Sequence, residues 1–213
     1  MQTMFSQDPS PSFWDKTAPS YAKKPIKDPA AYAAKLDTVR ARLRPTDHVL
    51  EIGCGTGSTA LALAPSVARY TATDVSQAMI DIAEGKQRTA SAPNLHFAVA
   101  DAAQLMAQAP FEAVLSFSLL HLVEDLPAVL RVARDQLRPG GLFLSKTVCM
   151  GEANVLLRGV VRGLSATGFA PPVQHLTRDR LCRDIRLAGF QIDTCLHFGD
   201  NRLSPFIVAR KPG

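Results

Sequence analysis

Three carboxylates lie at or next to the predicted ends of strands. Glu51 lies two residues before the first glycine of the stretch GCGTG (53–57), Asp74 closes the run TATD, and Asp101 follows the run FAVA. Glycine at every second position from 53 to 57 suits neither a helix nor a strand, so this stretch requires a bare backbone. The pattern indicates a ligand held on a glycine-rich loop and contacted by acids.

Two classes of nucleotide-like ligand are considered for this loop. A dinucleotide fingerprint reads G-x-G-x-x-G/A, but the sixth position counted from Gly53 is Ser58. Glu51 would repel a pyrophosphate, because like charges repel. Asp74, at 74 − 53 = 21 residues after the first glycine, fits hydrogen bonds to ribose hydroxyls, which NAD shares with other adenosine ligands. Asp101 can accept from an adenine amine, so a cationic adenosyl amino acid, S-adenosylmethionine, matches better than a dinucleotide.

The composition is that of a globular chain. It has 213 residues, 46% hydrophobic and 20% charged, with a net charge of +5, so we expect one domain. A mildly basic chain permits nucleic acid or an anionic substrate and demands neither. Four scattered cysteines form no C-x-x-C pair, which predicts no metal site. No apolar run approaches a membrane span and the N-terminus carries no secretory pattern, so the expected location is cytoplasmic.

Short apolar runs alternate with helical patterns along most of the chain. Strands are predicted at 48–53, 68–74, 94–100, 111–118, 141–148, 190–198 and 203–210, and helices at 30–43, 58–64, 76–87, 124–137, 152–167 and 177–187. Such alternation predicts an α/β fold, an open and mostly parallel sheet with helices on both faces. The short link GDNR predicts that the last two strands form an antiparallel hairpin.

The chain divides into an arm and a domain. Residues 1–29 form a predicted N-terminal arm, which is rich in proline from residue 7 onward and carries Trp14 and Tyr21. Residues 30–213 form the predicted domain. Within it, 150–175 is long for a plain connection, so we expect it to cap the substrate site.

Several motifs, taken in order, resemble a known family. They are VLEIGCGTG (49–57), TATDVSQAMI (71–80), VADAAQL (99–105), FEAVLSFSLLHLVED (111–125) and LRPGGLFL (137–144). The chain resembles a class I S-adenosylmethionine-dependent methyltransferase of the small-molecule type, and its FWDKTAPSY (13–21) is similar to the arm of ubiquinone/menaquinone-biosynthesis methyltransferases. The resemblance implies a Rossmann-like seven-stranded sheet of order 3-2-1-4-5-7-6 with strand 7 antiparallel.

The resemblance also implies a donor site. The loop residues and the acid before them would hold the methionine portion, Asp74 the ribose, Val75 and Met79 the adenine face, Asp101 and Ala102 the adenine amine, and the residues after strand 4 the methyl side. The implied donor-binding residues are Tyr21, Glu51, Gly53, Cys54, Gly55, Gly57, Asp74, Val75, Met79, Asp101, Ala102, Ser116, Phe117 and Ser118. The resemblance further implies that Trp14 and Tyr21 could close over the ligand as a lid. For Asp101, capping of the following turn is an open alternative.

The acceptor and the catalytic groups are far less determined. His121, after strand 4, is a candidate general base, with a structural role as the alternative. The stretch Ser116-Phe117-Ser118-Leu119 disfavours methylation of exocyclic base amines, which typically uses (N/D)-P-P-(Y/F). We expect a small organic acceptor methylated at O, N or C and no nucleic-acid partner. A non-catalytic S-adenosylmethionine-binding sensor or partner subunit, an RNA or protein methyltransferase, and a nucleotide-dependent oxidoreductase remain alternatives.

Overall fold

The computed structural model describes residues 11–104 and 110–213. Residues 1–10 of the predicted arm, and Leu105 at the end of the motif VADAAQL, lie outside the described residues. Within those residues the strands form one seven-stranded sheet of order β3-β2-β1-β4-β5-β7-β6, as predicted.

The strands and helices follow the predicted alternation. The strands are β1 His48–Ile52, β2 Arg69–Asp74, β3 Leu95–Val99, β4 Phe111–Phe117, β5 Leu137–Lys146, β6 Gln191–Leu196 and β7 Phe206–Arg210. The α-helices are α1 Pro11–Ala22, α2 Pro29–Arg40, α3 Ser58–Leu63, α4 Gln77–Ala90, α5 Leu126–Gln136, α6 Val155–Ala166 and α7 Arg178–Leu187. Short 3-10 turns occupy 64–66 and 150–152.

Pairing within the sheet places the predicted site at one edge. β1 pairs in parallel with β2 and β4, and β2 pairs in parallel with β3. β7 is antiparallel to both β5 and β6, which confirms the predicted final hairpin. The carboxyl ends of β1, β2, β3 and β4 therefore meet at the same edge, where open α/β sheets bind ligands.

The core lies on both faces of the sheet, as period-2 alternation requires. On β4, Leu115 packs in a cluster with Leu36 and Val39 of α2, whereas Val114 packs in a cluster with Leu130 of α5 and residues of α7. Both faces of β4 are therefore buried, and the strand reads as a continuous apolar run.

Helix starts agree with their capping residues. The Ser76 side chain accepts from the Met79 N–H (3.2 Å) at the start of α4, as predicted. Asp125 accepts from the Ala128 N–H (2.9 Å) at the start of α5, with Pro127 in the first turn. Because helix N-termini have unpaired N–H groups, these caps fix where each helix leaves the sheet edge.

Three details differ from the sequence prediction. The proline-rich arm contains a helix, α1, which tolerates Pro19 in its interior. β5 starts at Leu137, four residues before the predicted strand at 141–148, and the pairing register of β4 with β5 shifts between Phe111 and Ala113. The link between β6 and β7 runs from 197 to 205, longer than the predicted GDNR, because β6 ends earlier and β7 begins later than the predicted strands.

Candidate functional site

The glycines of the loop after β1 have left-handed φ angles of 74° at Gly53, 54° at Gly55 and 73° at Gly57. They are needed for different reasons. A Cβ at Gly57 would stand 2.7 Å from the ring of Phe97 and 2.8 Å from Ala83 Cβ, so this glycine is required by packing beneath the loop. A Cβ at Gly55 would meet only Tyr21 of α1, at 3.8 Å. Gly55 is therefore the glycine that leaves space on the ligand side.

The Asp74 carboxylate is hydrogen-bonded to the backbone of the glycine loop. Its Oδ2 accepts from the Gly55 N–H (2.8 Å) and its Oδ1 accepts from the Ser76 N–H (3.0 Å). Burial raises the pKa of Asp74, and these backbone hydrogen bonds oppose that shift. The carboxylate is thus preoriented at the end of β2, and each of its oxygens has a further lone pair for a ligand hydroxyl.

Glu51 is only 2% exposed, although its side chain is ionisable, and it lines a cavity. Its Oε2 accepts from the Tyr70 hydroxyl (2.9 Å). Burial raises the pKa of Glu51, while the Tyr70 hydrogen bond and the charge of Lys35 oppose the shift. A buried carboxylate of this kind gains most from a cationic partner, which agrees with its expected role beside an amino group.

Lys35 of α2 is a functional candidate that the sequence analysis missed. Its Nζ lies 4.3 Å from the ring centroid of Phe117 and 4.6 Å from that of Tyr32, and it donates to Thr59 Oγ1 (3.4 Å). Burial lowers the pKa of Lys35 to about 8, and attraction to Glu51 opposes the shift. The only sequence signal was its place in α2, next to Leu36 and three residues after Tyr32, on the apolar side of the helix.

Asp101 lies exposed at the edge of the sheet after β3. Its Oδ1 accepts from the Ala103 N–H (2.7 Å), so it closes the turn that carries Ala102. This is the capping role that the sequence left open, and Asp101 also lines the same cavity as Glu51. The contact with an adenine amine stays a prediction.

These residues line one cavity of about 550 Å³, a volume typical of small-molecule sites. Every implied donor-binding residue except Gly57 and Ser116 contributes to its wall. Further parts of the wall come from α1, from α2 and the segment between them, and from Thr56 with the first two residues of α3. These residues are Pro11, Trp14, Ala22, Lys24, Pro25, Ile26, Lys27, Tyr32, Lys35, Thr56, Ser58 and Thr59. The cavity wall therefore combines the carboxylates at the strand ends with lysines and apolar side chains.

The end of β4 also contributes to the cavity wall. Phe117 and Ser118 line the cavity, and Ser118 has a φ of 57°, which is uncommon for a residue with a side chain and clusters at functional sites. The Ser118 N–H donates to the Lys146 carbonyl (2.7 Å), which holds this backbone. Ser116 points to the other face, where its Oγ is buried without a hydrogen-bond partner among the described residues.

His121 lies behind the cavity wall. It is buried, is not part of the cavity lining, and its carbonyl accepts from the Gln174 N–H (2.8 Å). Burial lowers the pKa of His121 to about 4, so the imidazole is neutral at physiological pH. Its Nδ1 is buried and has no hydrogen-bond partner within the described part of the chain. These observations favour the structural interpretation, and the general-base role stays a prediction.

Helix α1 covers the cavity. Asp15 Oδ1 accepts from the Ser76 hydroxyl (2.6 Å) and from the Ala78 N–H (3.1 Å), which anchors α1 on the start of α4. Trp14 and Tyr21 of α1 line the cavity. Sequence reasoning selected the two aromatic residues but missed Asp15, whose partners lie more than 60 positions away.

The predicted cap, 150–175, does not contribute to the cavity wall among the residues described. It borders the wall through Gln174, whose Nε2 donates to the carbonyls of Val123 and, at 3.2 Å, Glu124. Val123 itself lines the cavity. The capping role of this segment stays a prediction.

Residues 11–104 and 110–213 contain neither a candidate metal site nor a candidate membrane-spanning helix. No group of three or more His, Cys, Asp or Glu side chains there could hold a metal ion. No helix of that part is long and apolar enough to cross a membrane.

Comparison with known proteins assigns the family. A methyltransferase-domain family model matches residues 49–141. The ubiquinone biosynthesis O-methyltransferase of Xanthomonas axonopodis pv. citri is 32% identical over 189 residues, covering 85% of this chain and 76% of that protein. The reducing polyketide synthase Preu2 of Preussia isomera is 32% identical over 177 residues, covering 75% of this chain.

Some of the curated relatives are much longer than the match. The segment that matches this chain spans 7% of the polyketide synthase and 55% of the ubiquinone biosynthesis O-methyltransferase of Xanthomonas campestris pv. campestris. Among solved structures, magnesium protoporphyrin IX methyltransferase of Synechocystis, with bound S-adenosylhomocysteine, superposes with a TM-score of 0.69 at 18% identity and covers 94% of each chain. The cyclase SpnF superposes with a TM-score of 0.78 at 20% identity, covering 98% of this chain and 99% of that one. These two likenesses show the fold.

The chain therefore belongs to the class I S-adenosylmethionine-dependent methyltransferases. The predicted fold, family and methyl donor are confirmed at that level. The acceptor is not assigned by family membership, since one fold hosts different reactions.

Proposed function

We propose that this protein transfers a methyl group from S-adenosylmethionine to an oxygen of a small organic acceptor. The observation that carries the proposal is that Glu51, Asp74 and Asp101 line the same cavity as Phe117 and Ser118 at the end of β4. Oxygen is proposed as the acceptor atom because relatives that match most of this chain are named O-methyltransferases.

The carboxylates at the end of β2 and after β3 fit the adenosyl part of the donor. Asp74, fixed by Gly55 and Ser76, would accept from the ribose hydroxyls, and Asp101 from the adenine amine. Val75 and Met79, which also line the wall, would flank the adenine ring. This set leaves the sulfonium near Phe117.

The same cavity is also lined by one buried acidic and one buried basic side chain. The methionine end of the donor carries both an ammonium and a carboxylate, and the cavity offers it both a buried carboxylate, Glu51, and a buried ammonium, Lys35. We propose that Glu51 holds the amino group and that Lys35 pairs with the carboxylate. Each of these buried side chains would then gain a partner that offsets its desolvation.

The donor supplies a methyl group already activated by the positive sulfonium. The chain has to align the acceptor oxygen with it and exclude water. We propose that α1, held by Asp15, supplies the exclusion through Trp14 and Tyr21, as the predicted lid. Leu119, Leu122 and Val123, which line the cavity beyond β4, would position the apolar part of the acceptor.

Calorimetry and a transfer assay test the proposal. The full chain should bind S-adenosylhomocysteine at one site and should show no measurable affinity for NAD. With methyl-labelled donor it should convert a small phenol or catechol to a labelled ether. Affinity for NAD without affinity for S-adenosylhomocysteine would favour the oxidoreductase alternative, and binding without turnover on any acceptor would favour the sensor alternative. The predicted cytoplasmic location and small-molecule partner remain part of the proposal.

A further inference from the structure

Helix α6 is unlike the other helices because its apolar side faces solvent. Leu156, Val160 and Leu164 recur every four residues and therefore share one face of the helix. They are 79%, 52% and 45% exposed, and Phe169, just after the helix, is 83% exposed. No side chain of α6, all of which is described, is buried. In contrast, α7 buries Leu181 and Ile185 completely. We call the four exposed residues the α6 stripe.

Helix α6 lies in a segment whose two ends are hydrogen-bonded to each other. The Gly151 N–H donates to the Leu176 carbonyl (2.7 Å), and the Arg178 N–H donates to Glu152 Oε1 (2.7 Å). The intervening chain leaves and re-enters the domain at one place. The α6 stripe is therefore presented on a projecting segment with a fixed base.

The polar side of α6 carries charge of one sign. Arg158 and Arg162 are its charged residues, and the helix sequence VLLRGVVRGLSA contains no acid. The whole chain has a net charge of +5. A helix with an apolar stripe and a purely cationic polar side lies in the interface of bilayers that contain anionic lipids.

The size of the stripe argues against a second copy of the chain as its partner. A helix of 12 residues is about 18 Å long and roughly 10 Å wide. One such face falls well short of the ~800 Å² that each partner of a stable dimer buries. Binding to a lipid surface has no comparable threshold, because it sums the buried apolar area and the attraction of cations to anionic headgroups.

We propose that α6 docks this protein on an anionic lipid bilayer, with the α6 stripe inserted among the acyl chains near the headgroups. The side chains of Arg158 and Arg162 remain at headgroup level. This function is separate from methyl transfer and does not require turnover. It is compatible with a chain whose described helices are too short or too polar to span a bilayer.

Vesicle sedimentation of the full chain tests the proposal. The protein should sediment with vesicles of phosphatidylcholine that contain one third phosphatidylglycerol, and far less with phosphatidylcholine alone. The double variant Leu156→Ser/Leu164→Ser should weaken this partitioning by at least about 30-fold, from the lost apolar burial. Arg162→Gln should weaken it about fivefold on anionic vesicles. Because no side chain of α6 is buried, these variants should keep the melting temperature of the parent.

The matched control is Leu187→Ser at the end of α7, where the leucine is 80% exposed but not part of the stripe. It should bind vesicles like the parent. Three results would overturn the proposal: no sedimentation with anionic vesicles, an equal loss in the Leu187 control, or a concentration-dependent dimer that the double variant abolishes. Binding of S-adenosylhomocysteine, measured on the same variants, should be unchanged and keeps this test independent of the proposed enzyme activity.

Discussion

Replacing Asp74 by alanine isolates the contact on which the donor assignment most depends. The carboxylate is largely buried and its two oxygens are already oriented by the N–H groups of Gly55 and Ser76, at 2.8 and 3.0 Å. The carboxylate is therefore already partly removed from water before any ligand binds, as its raised pKa indicates. A ribose hydroxyl that donates to this carboxylate should consequently contribute most of its hydrogen-bond free energy to binding.

The expected magnitude follows from this preorganisation. Removing hydrogen bonds to a charged group costs about 1–3 kcal/mol, which is a roughly 5- to 150-fold higher Kd. The same substitution removes the acceptors of two backbone N–H groups, so the free energy of unfolding should also fall by about 1 kcal/mol. Relief of a buried charge offsets part of that loss.

The assay is titration calorimetry with S-adenosylhomocysteine, which binds without reacting. An analogue that lacks both ribose hydroxyls separates the direct contact from a disturbed loop. It should bind the parent and Asp74→Ala with the same Kd, whereas S-adenosylhomocysteine should distinguish them. Asp37→Ala, at an exposed carboxylate that pairs with Arg40, should bind like the parent. Equal weakening for both ligands, or no weakening at all, would refute the ribose assignment.

Four further substitutions test other parts of the site. Because burial lowers the pKa of Lys35 to about 8, donor affinity should be highest below pH 8 and should fall at higher pH as the lysine loses its proton. The variant Lys35→Arg should flatten this dependence of affinity on pH. An unchanged dependence would contradict the pairing of Lys35 with the donor carboxylate. His121→Ala should change kcat less than about threefold, whereas loss of a general base would lower it about 10²-fold. Gly57→Ala should reduce the unfolding free energy by about 2–4 kcal/mol, because φ is positive there and the added Cβ would contact Phe97. As a control, Gly159→Ala should cause no loss of stability, because a Cβ there meets nothing within 4 Å. Asp15→Asn should release α1 and speed S-adenosylhomocysteine dissociation several-fold, seen in the fluorescence of the single tryptophan, Trp14.

The parts of the site that could be predicted from sequence are those fixed by strand ends. Glu51, Asp74 and Asp101 each end or follow a short apolar run, and parallel strands bring such ends to one edge. The loop glycines were predictable for the same reason, because their spacing signals an unusual backbone. Local pattern was sufficient here, since each residue's place depends on its own strand.

The missed residues depend on contacts between distant segments. Lys35 becomes a site residue only because α2 packs beside Phe117 of β4, 82 positions later in the sequence. Asp15 acts on Ser76 and Ala78, and proline-rich composition concealed α1 altogether. Likewise, the motif placed His121 near the acceptor, but packing turned it behind the cavity wall. The sequence predicted a helix at 152–167 but not that its apolar side chains would remain exposed.

The most direct test of the central claim is the fate of a labelled methyl group. The full chain is incubated with methyl-labelled S-adenosylmethionine and a cell extract separated into small-molecule, RNA and protein fractions, with Asp74→Ala in parallel. The proposed function predicts that the label appears as an ether in the small-molecule fraction, and that Asp74→Ala transfers much less at limiting donor. Label confined to RNA or protein, or no transfer to any fraction while S-adenosylhomocysteine binds, would contradict it.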